Sequence, residues 1–170
     1  MRAHDEPACQ SRRDFLLGGS KLVMLAAAAG ITDAVWARRA EHAPLTVARL
    51  SALKPGEPYY FEYPQVGDFN MLVKLGVAAG GGIGPQADVV AFSTRCTHLG
   101  AGLRNTLQAE MQILGPCPHH LTTFDLSRHG VVITGHATAS LPQVVLELDG
   151  DHIRAIGMQG LVYRDRSRNV

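Results

Sequence analysis

The chain is sparing with charge and with cysteine: of its 170 residues, 18% are charged and three are cysteine. It has no long polar tract, so a largely disordered protein is excluded. It has no clean apolar run of the ~20 residues that a membrane-spanning helix needs. The longest apolar stretch, residues 15–31, is interrupted by Gly18, Gly19, Ser20 and Lys21. It also lacks a basic excess where a nucleic acid would require one. Six of the 16 basic and four of the 15 acidic residues fall within 1–40, leaving ten basic and eleven acidic over 41–170. That balance provides no electrostatic footprint for a phosphate backbone. Outside the first 40 residues there is no sustained 3.6-residue periodicity, no internal repeat and no second domain. Gly80-Gly81-Gly82-Ile83-Gly84 is followed by Pro85-Gln86, not by Gly-Lys-Ser/Thr, and it opens no helix. It reads as a flexible connection between strands, not as a phosphate loop. No nucleophile–base pair and no substrate pocket are visible.

What is present begins with a targeting segment. Ser11-Arg12-Arg13-Asp14-Phe15-Leu16 is a twin-arginine pattern, and Val35-Trp36-Ala37 offers a small-residue cleavage site. Residues 1–40 are therefore expected to be a leader for export to the periplasm, with membrane contact only if it is retained as an anchor. The twin-arginine route carries folded proteins, which suits a cofactor inserted before export.

The remainder, 41–170, reads as β-rich. Short runs of β-formers occur at 46–53, 59–63, 69–75, 88–93, 111–114, 122–126, 131–134, 144–148 and 152–156, separated by Gly and Pro. Ser127-Arg128-His129-Gly130 and Asp149-Gly150-Asp151 are hairpin signals. Many short strands predict an all-β fold, a small antiparallel sandwich or barrel.

Cys9 lies in the leader, so the exported part keeps Cys96 and Cys117. Two cysteines in an oxidising compartment ordinarily suggest one disulfide. Each, however, is followed closely by histidine: Cys96-Thr97-His98 and Cys117-Pro118-His119-His120, with eighteen residues between His98 and Cys117. Cys-x-His and Cys-x-x-His can each aim two ligands at one site. Three readings follow from the residues: a disulfide, a mononuclear zinc in a binding module, or a [2Fe–2S] cluster with two thiolates on one iron and two imidazoles on the other.

Cys96-Thr97-His98-Leu99-Gly100 and Cys117-Pro118-His119-His120 resemble the two cluster-binding boxes of the Rieske family, whose usual forms are Cys-Thr-His-Leu-Gly-Cys and Cys-Pro-Cys-His. The resemblance implies one [2Fe–2S] cluster on Cys96, His98, Cys117 and His120, held by a subdomain of two loops. Leu99, Gly100, Pro116 and Pro118 would shape the loops, with Leu99 keeping water off the cluster. Two departures stand out. Ala101 and His119 occupy the positions of the two cysteines that the family joins in a disulfide, so that bond cannot form, and His119 is expected to be a loop residue. Leu121-Thr122-Thr123-Phe124 stands where the family has Gly-Ser and an aromatic. By position Thr122 replaces a serine that donates to a cluster sulfide. Phe124 replaces a tyrosine and lacks its hydroxyl. His129 and His136 are expected in a turn and at the surface. His42 and His152 carry no assignment.

Residues 75–84, 114–138 and 140–147 look like the small Rieske subunit of arsenite oxidase, and the resemblance covers most of residues 45–163. This implies a large molybdopterin and iron–sulfur subunit as partner, and a soluble cytochrome c or copper protein as electron acceptor. The alternative within the family is the Rieske subunit of a quinol-oxidising cytochrome complex, which usually has the loop disulfide and the tyrosine. With two neutral imidazoles among its ligands, such a cluster would have a potential within about −150 to +300 mV.

Overall fold

The computed structural model describes residues 42–163. The expected leader, with its twin arginines, Cys9 and Trp36, lies outside the described residues. Ten strands follow in chain order: β1 Leu45–Arg49, β2 Tyr59–Glu62, β3 Phe69–Lys74, β4 Val89–Ser93, β5 Leu107–Gln108, β6 Ile113–Leu114, β7 Thr123–Asp125, β8 Val131–Thr134, β9 Gln143–Asp149 and β10 His152–Gln159. The all-β expectation holds. Among the described residues the only helical elements are the short 3-10 turns Leu50–Ala52 and Ala109–Met111.

Two antiparallel sheets result. The larger has the order β1-β10-β9-β4-β3-β2, the smaller β5-β6-β7-β8. The larger sheet curls on itself, because Val47 of β1, Leu72 of β3, Ala91 of β4, Leu146 of β9 and Ile153 of β10 share one buried core. The inner strands β3 and β4 are buried on both faces. Leu72, Val89 and Ala91 point into that first core. The alternate residues Met71, Val73, Val90 and Phe92 point into a second core, which they share with Cys96, Leu103, Leu114, Cys117, Phe124 and Leu126. Their continuous apolar run, Met71-Leu72-Val73 facing Val89-Val90-Ala91-Phe92, is what a strand covered on both sides requires. In contrast, β9 alternates: Val144 and Leu146 are buried while Val145 and Glu147 are exposed. The smaller sheet is inserted between β4 and β9, which pair through Phe92 and Gln143.

Three local expectations need correction. The run 46–53 is not one strand: after Arg49 the chain turns, because Leu50 N–H donates to Asp151 O at 2.8 Å and Ser51 N–H to Asp151 Oδ1 at 2.9 Å. The run 111–114 contributes only Ile113–Leu114 as strand. Met111 closes a 3-10 turn, and Gln112 takes φ +53 to lead into the β5–β6 pairing. The glycine-rich segment is not a loose connection. Gly80 N–H donates to Ser127 O at 2.8 Å, and Gly80 O accepts from Gln143 Nε2 at 2.8 Å. A side chain at Gly80 would overlap the ring of His129, which is itself bonded through Nδ1 to Gln143 Oε1 at 2.9 Å. Glycine here permits close packing, not mobility.

Candidate metal centre

The two Cys-His pairs lie on loops of the same design. In the first, Cys96 N–H donates to Ala101 O at 2.8 Å, and Gly100 N–H donates back to Cys96 O at 2.8 Å. In the second, Cys117 N–H donates to Thr122 O at 2.8 Å, and Leu121 N–H donates back to Cys117 O at 2.9 Å. Gly100 and Leu121 occupy the equivalent left-handed position, with φ +75 and +59. Each loop follows a strand end by three residues, after Ser93 of β4 and Leu114 of β6. The local hydrogen bonds thus bend the chain so that a thiol points inward and an imidazole sits nearer the rim.

The loops bring all four expected ligand side chains together. Cys96 and Cys117 are each 1% exposed, carry no disulfide, and meet thiol to thiol. Leu103, Leu114, Phe124 and Leu126, all fully buried, pack beneath them. The rings of His98 and His120 stand edge to face, 4.7 Å between centroids. His98 is half-buried and His120 exposed. Burial is the main influence that pushes the Cys96 thiol above its ordinary range. The Cys117 thiol adds to this, while the His98 backbone N–H and the Thr122 hydroxyl oppose it by bonding to the sulfur. Loss of water holds His98 below the usual imidazole range, and the neighbouring His120 and His136 act in the same direction. That shift favours the neutral ring, the form that ligates metal.

The donor set fits a [2Fe–2S] cluster. His98 Nδ1 is buried and has no hydrogen-bond partner. A buried polar atom left in this way needs a partner, and a metal ion supplies one. Among the described residues no group of three or more His, Cys, Asp or Glu could hold a single ion. The donors instead pair as sulfur with sulfur and ring with ring, which suits two irons better than one zinc.

The residues expected around the ligands divide into two groups. Thr122 and Phe124 are fully buried against the thiols. Leu99, 60% exposed, Pro118 and His119 form the outer rim, so water is excluded mainly from beneath, by the buried leucines and Phe124. Sequence reasoning missed a third loop, residues 135–140, between β8 and β9. His136, expected merely at the surface, has its ring 5.6 Å from that of His98 and 6.1 Å from that of His120. Its N–H donates to Thr122 Oγ1 at 3.2 Å, and Thr97 Oγ1 donates to Ala139 O at 2.6 Å. Tyr163 was missed as well; its ring covers Gly100 closely enough that any side chain there would overlap it. Only the left-handed Gly135 before His136 was a local signal.

Comparison with known proteins agrees with this geometry. The Rieske [2Fe-2S] domain family matches residues 44–145. Iodate reductase subunit IdrB of Denitromonas iodatirespirans is 56% identical over 167 residues, covering 94% of this chain and 90% of that one. The protein of the same name from Pseudomonas sp. (strain SCT) is 57% identical over 170 residues, covering 98% and 88%. Among solved structures, the soluble domain of the Rieske protein II (soxF) from Sulfolobus acidocaldarius shares the fold with a TM-score of 0.63 at 24% identity, over 73% of this chain and 82% of that chain.

Proposed function

The chain belongs to the Rieske [2Fe–2S] family, and on that premise we propose that it is the electron-transfer subunit of an exported oxyanion oxidoreductase, its cluster held by Cys96 and Cys117 on one iron and by His98 and His120 on the other. The observation that carries the functional reading is the 56–57% identity to two iodate reductase subunits over nearly the whole length of each chain. When bound, the cluster supplies one-electron chemistry. Two thiolates and two neutral imidazoles give it less negative charge than four thiolates would, which makes reduction easier.

The chain's own residues do the rest. Leu103, Leu114, Phe124 and Leu126 keep the sulfur side dry. The Thr122 hydroxyl donates toward the Cys96 sulfur and favours the more negative reduced state. His98 and His120 bring their ring edges to the surface, where a redox partner can approach. Substrate chemistry is then the work of a large molybdopterin and iron–sulfur subunit. In iodate reduction, electrons would enter from a soluble cytochrome c or copper protein and leave toward that subunit. The second reading, an arsenite oxidase subunit, rests on the likeness at residues 75–84, 114–138 and 140–147, and electrons would then run the other way. Export by the twin-arginine route places either complex in the periplasm.

The test uses the complex purified from its host and watched by electron paramagnetic resonance without oxygen. Iodate should extinguish the signal of the chemically reduced cluster. If instead arsenite generates the signal in the oxidised complex and iodate is inert, the arsenite reading takes over. Rapid reduction by quinol alone would replace both with a quinol-oxidising complex. A colourless protein containing zinc, with no iron or sulfide, would refute the centre itself.

A further inference from the structure

We propose that residues 135–140 act as a hydrogen-bonded latch across the two ligand loops, in the role that a disulfide fills in much of the family, and that Thr97 is its principal positioning residue. The cysteines of that disulfide are replaced here by Ala101 and His119. Among the described residues, no backbone hydrogen bond joins residues 95–102 to residues 116–122. The loops touch each other through the two thiols, through Thr122, whose hydroxyl bonds to Cys96, and through the edge-to-face rings of His98 and His120. Without a further tie, no hydrogen bond would position the imidazole edge.

The third loop provides that tie at two points. Thr97, between the first two ligands, donates its hydroxyl to Ala139 O at 2.6 Å. Thr122, just beyond the last ligand, accepts the His136 N–H at 3.2 Å. Gly135, at φ +103, lets the chain pass so close to Thr122 that a side chain there would overlap Thr122 backbone atoms. Ala137, between the two anchor points, is buried in the cluster-side core, so the latch is seated on the scaffold and not on solvent. Its ends are set by β8 and β9, and β9 is fixed to β4. A latch of this kind also closes in a reducing compartment, where a disulfide does not persist. The loops are then in register when the cluster is inserted.

The experiment compares Thr97→Val and Thr97→Ser in the full chain carrying its cluster, and it does not depend on what the catalytic partner acts on. Val removes the hydroxyl and keeps the shape; Ser keeps the hydroxyl. Bleaching of the visible absorption by an iron chelator should be about tenfold faster in Thr97→Val, as loss of a hydrogen bond of this kind implies. It should stay near the wild-type rate in Thr97→Ser. Amide hydrogen exchange in the cluster-loaded protein should rise at 95–102 and 135–140 and stay unchanged in β3 and β4. A Thr97→Val chain that acquires no cluster while Thr97→Ser does also supports the latch. Equal bleaching in wild type and Thr97→Val, equal acceleration in both variants, or a rise in exchange spread over the larger sheet would each overturn it. If the wild-type chain itself lacked iron and sulfide, the cluster assignment, not the latch, would be at fault.

Discussion

Replacing Thr122 by valine isolates one hydrogen bond to sulfur, because the two side chains have the same outline. Thr122 is fully buried, donates to the Cys96 sulfur and accepts the His136 N–H. Valine removes both bonds and adds no bulk. A hydrogen bond to a charged group is worth about 1.5–3 kcal/mol. Only the difference between the oxidised and reduced states moves the potential. If that difference is about 1 kcal/mol, the potential of a one-electron couple falls by roughly 40 mV, since a tenfold change in its equilibrium corresponds to about 59 mV. The cost to the fold is smaller, because the freed His136 N–H lies near the surface and water can replace the lost acceptor. A spectroelectrochemical titration of Thr122→Val beside Thr122→Ser measures the effect. The serine variant, which keeps the donor, should remain near wild type. Phe124→Tyr adds a phenolic donor to a fully buried ring of the same core and should raise the potential. Equal shifts in Thr122→Val and Thr122→Ser, or none in either, would show that the hydroxyl does not set the charge balance at the sulfur.

Gly135→Ala should destabilise the protein by about 3 kcal/mol in chemical denaturation, combining left-handed strain with overlap against Thr122. Gly150→Ala, at φ +59 in open space, should cost only the strain, about 1 kcal/mol. The Asp151 carboxyl is held below its usual range by the Ser51 hydroxyl, at 2.6 Å, and by the Ser51 N–H. Its contribution to stability is therefore present above the unfolded carboxyl value of about 3.9 and is lost as pH falls through the lower folded value. Ser51→Ala should move the Asp151 titration, followed by NMR, back up toward the ordinary range. Trp36 is the only tryptophan of the chain, so cleavage after Ala37 should leave the exported protein without tryptophan fluorescence. An intact mass in washed membranes would instead indicate a retained anchor.

The strands were legible where their pattern was local. Val144-Val145-Leu146-Glu147-Leu148 alternates only partly in sequence, and in the fold Val144 and Leu146 are buried while Val145 and Glu147 are exposed. The Asp149-Gly150 step marks a real hairpin, with His152 pairing to Asp149 across it. The four candidate ligands were legible because Cys-x-His and Cys-x-x-His are each a single turn of chain. The two-residue strand Leu107–Gln108 was not, since two residues carry no period. The third loop was hidden for a different reason. Thr97 and Ala139 are neighbours only because β4 and β9 pair across a long insertion, and no local pattern encodes such a meeting. Gly80 shows the converse error: close approach to a ring and freedom to move both call for glycine, and the sequence alone does not separate them.

The pairing of Phe92 with Gln143 has an evolutionary meaning. The chain departs from the larger sheet and returns to it at neighbouring positions, so the stretch between them is a single insertion, tied to the scaffold elsewhere by bonds such as Gly80 N–H to Ser127 O. Loops within that stretch can lengthen, shorten or change residues while the departure and return points stay fixed. The buried second face of β3 and β4 gives any such replacement a ready-made floor. A lineage could therefore exchange the face it shows to electron partners, losing a disulfide or gaining a histidine, without redesigning the scaffold beneath.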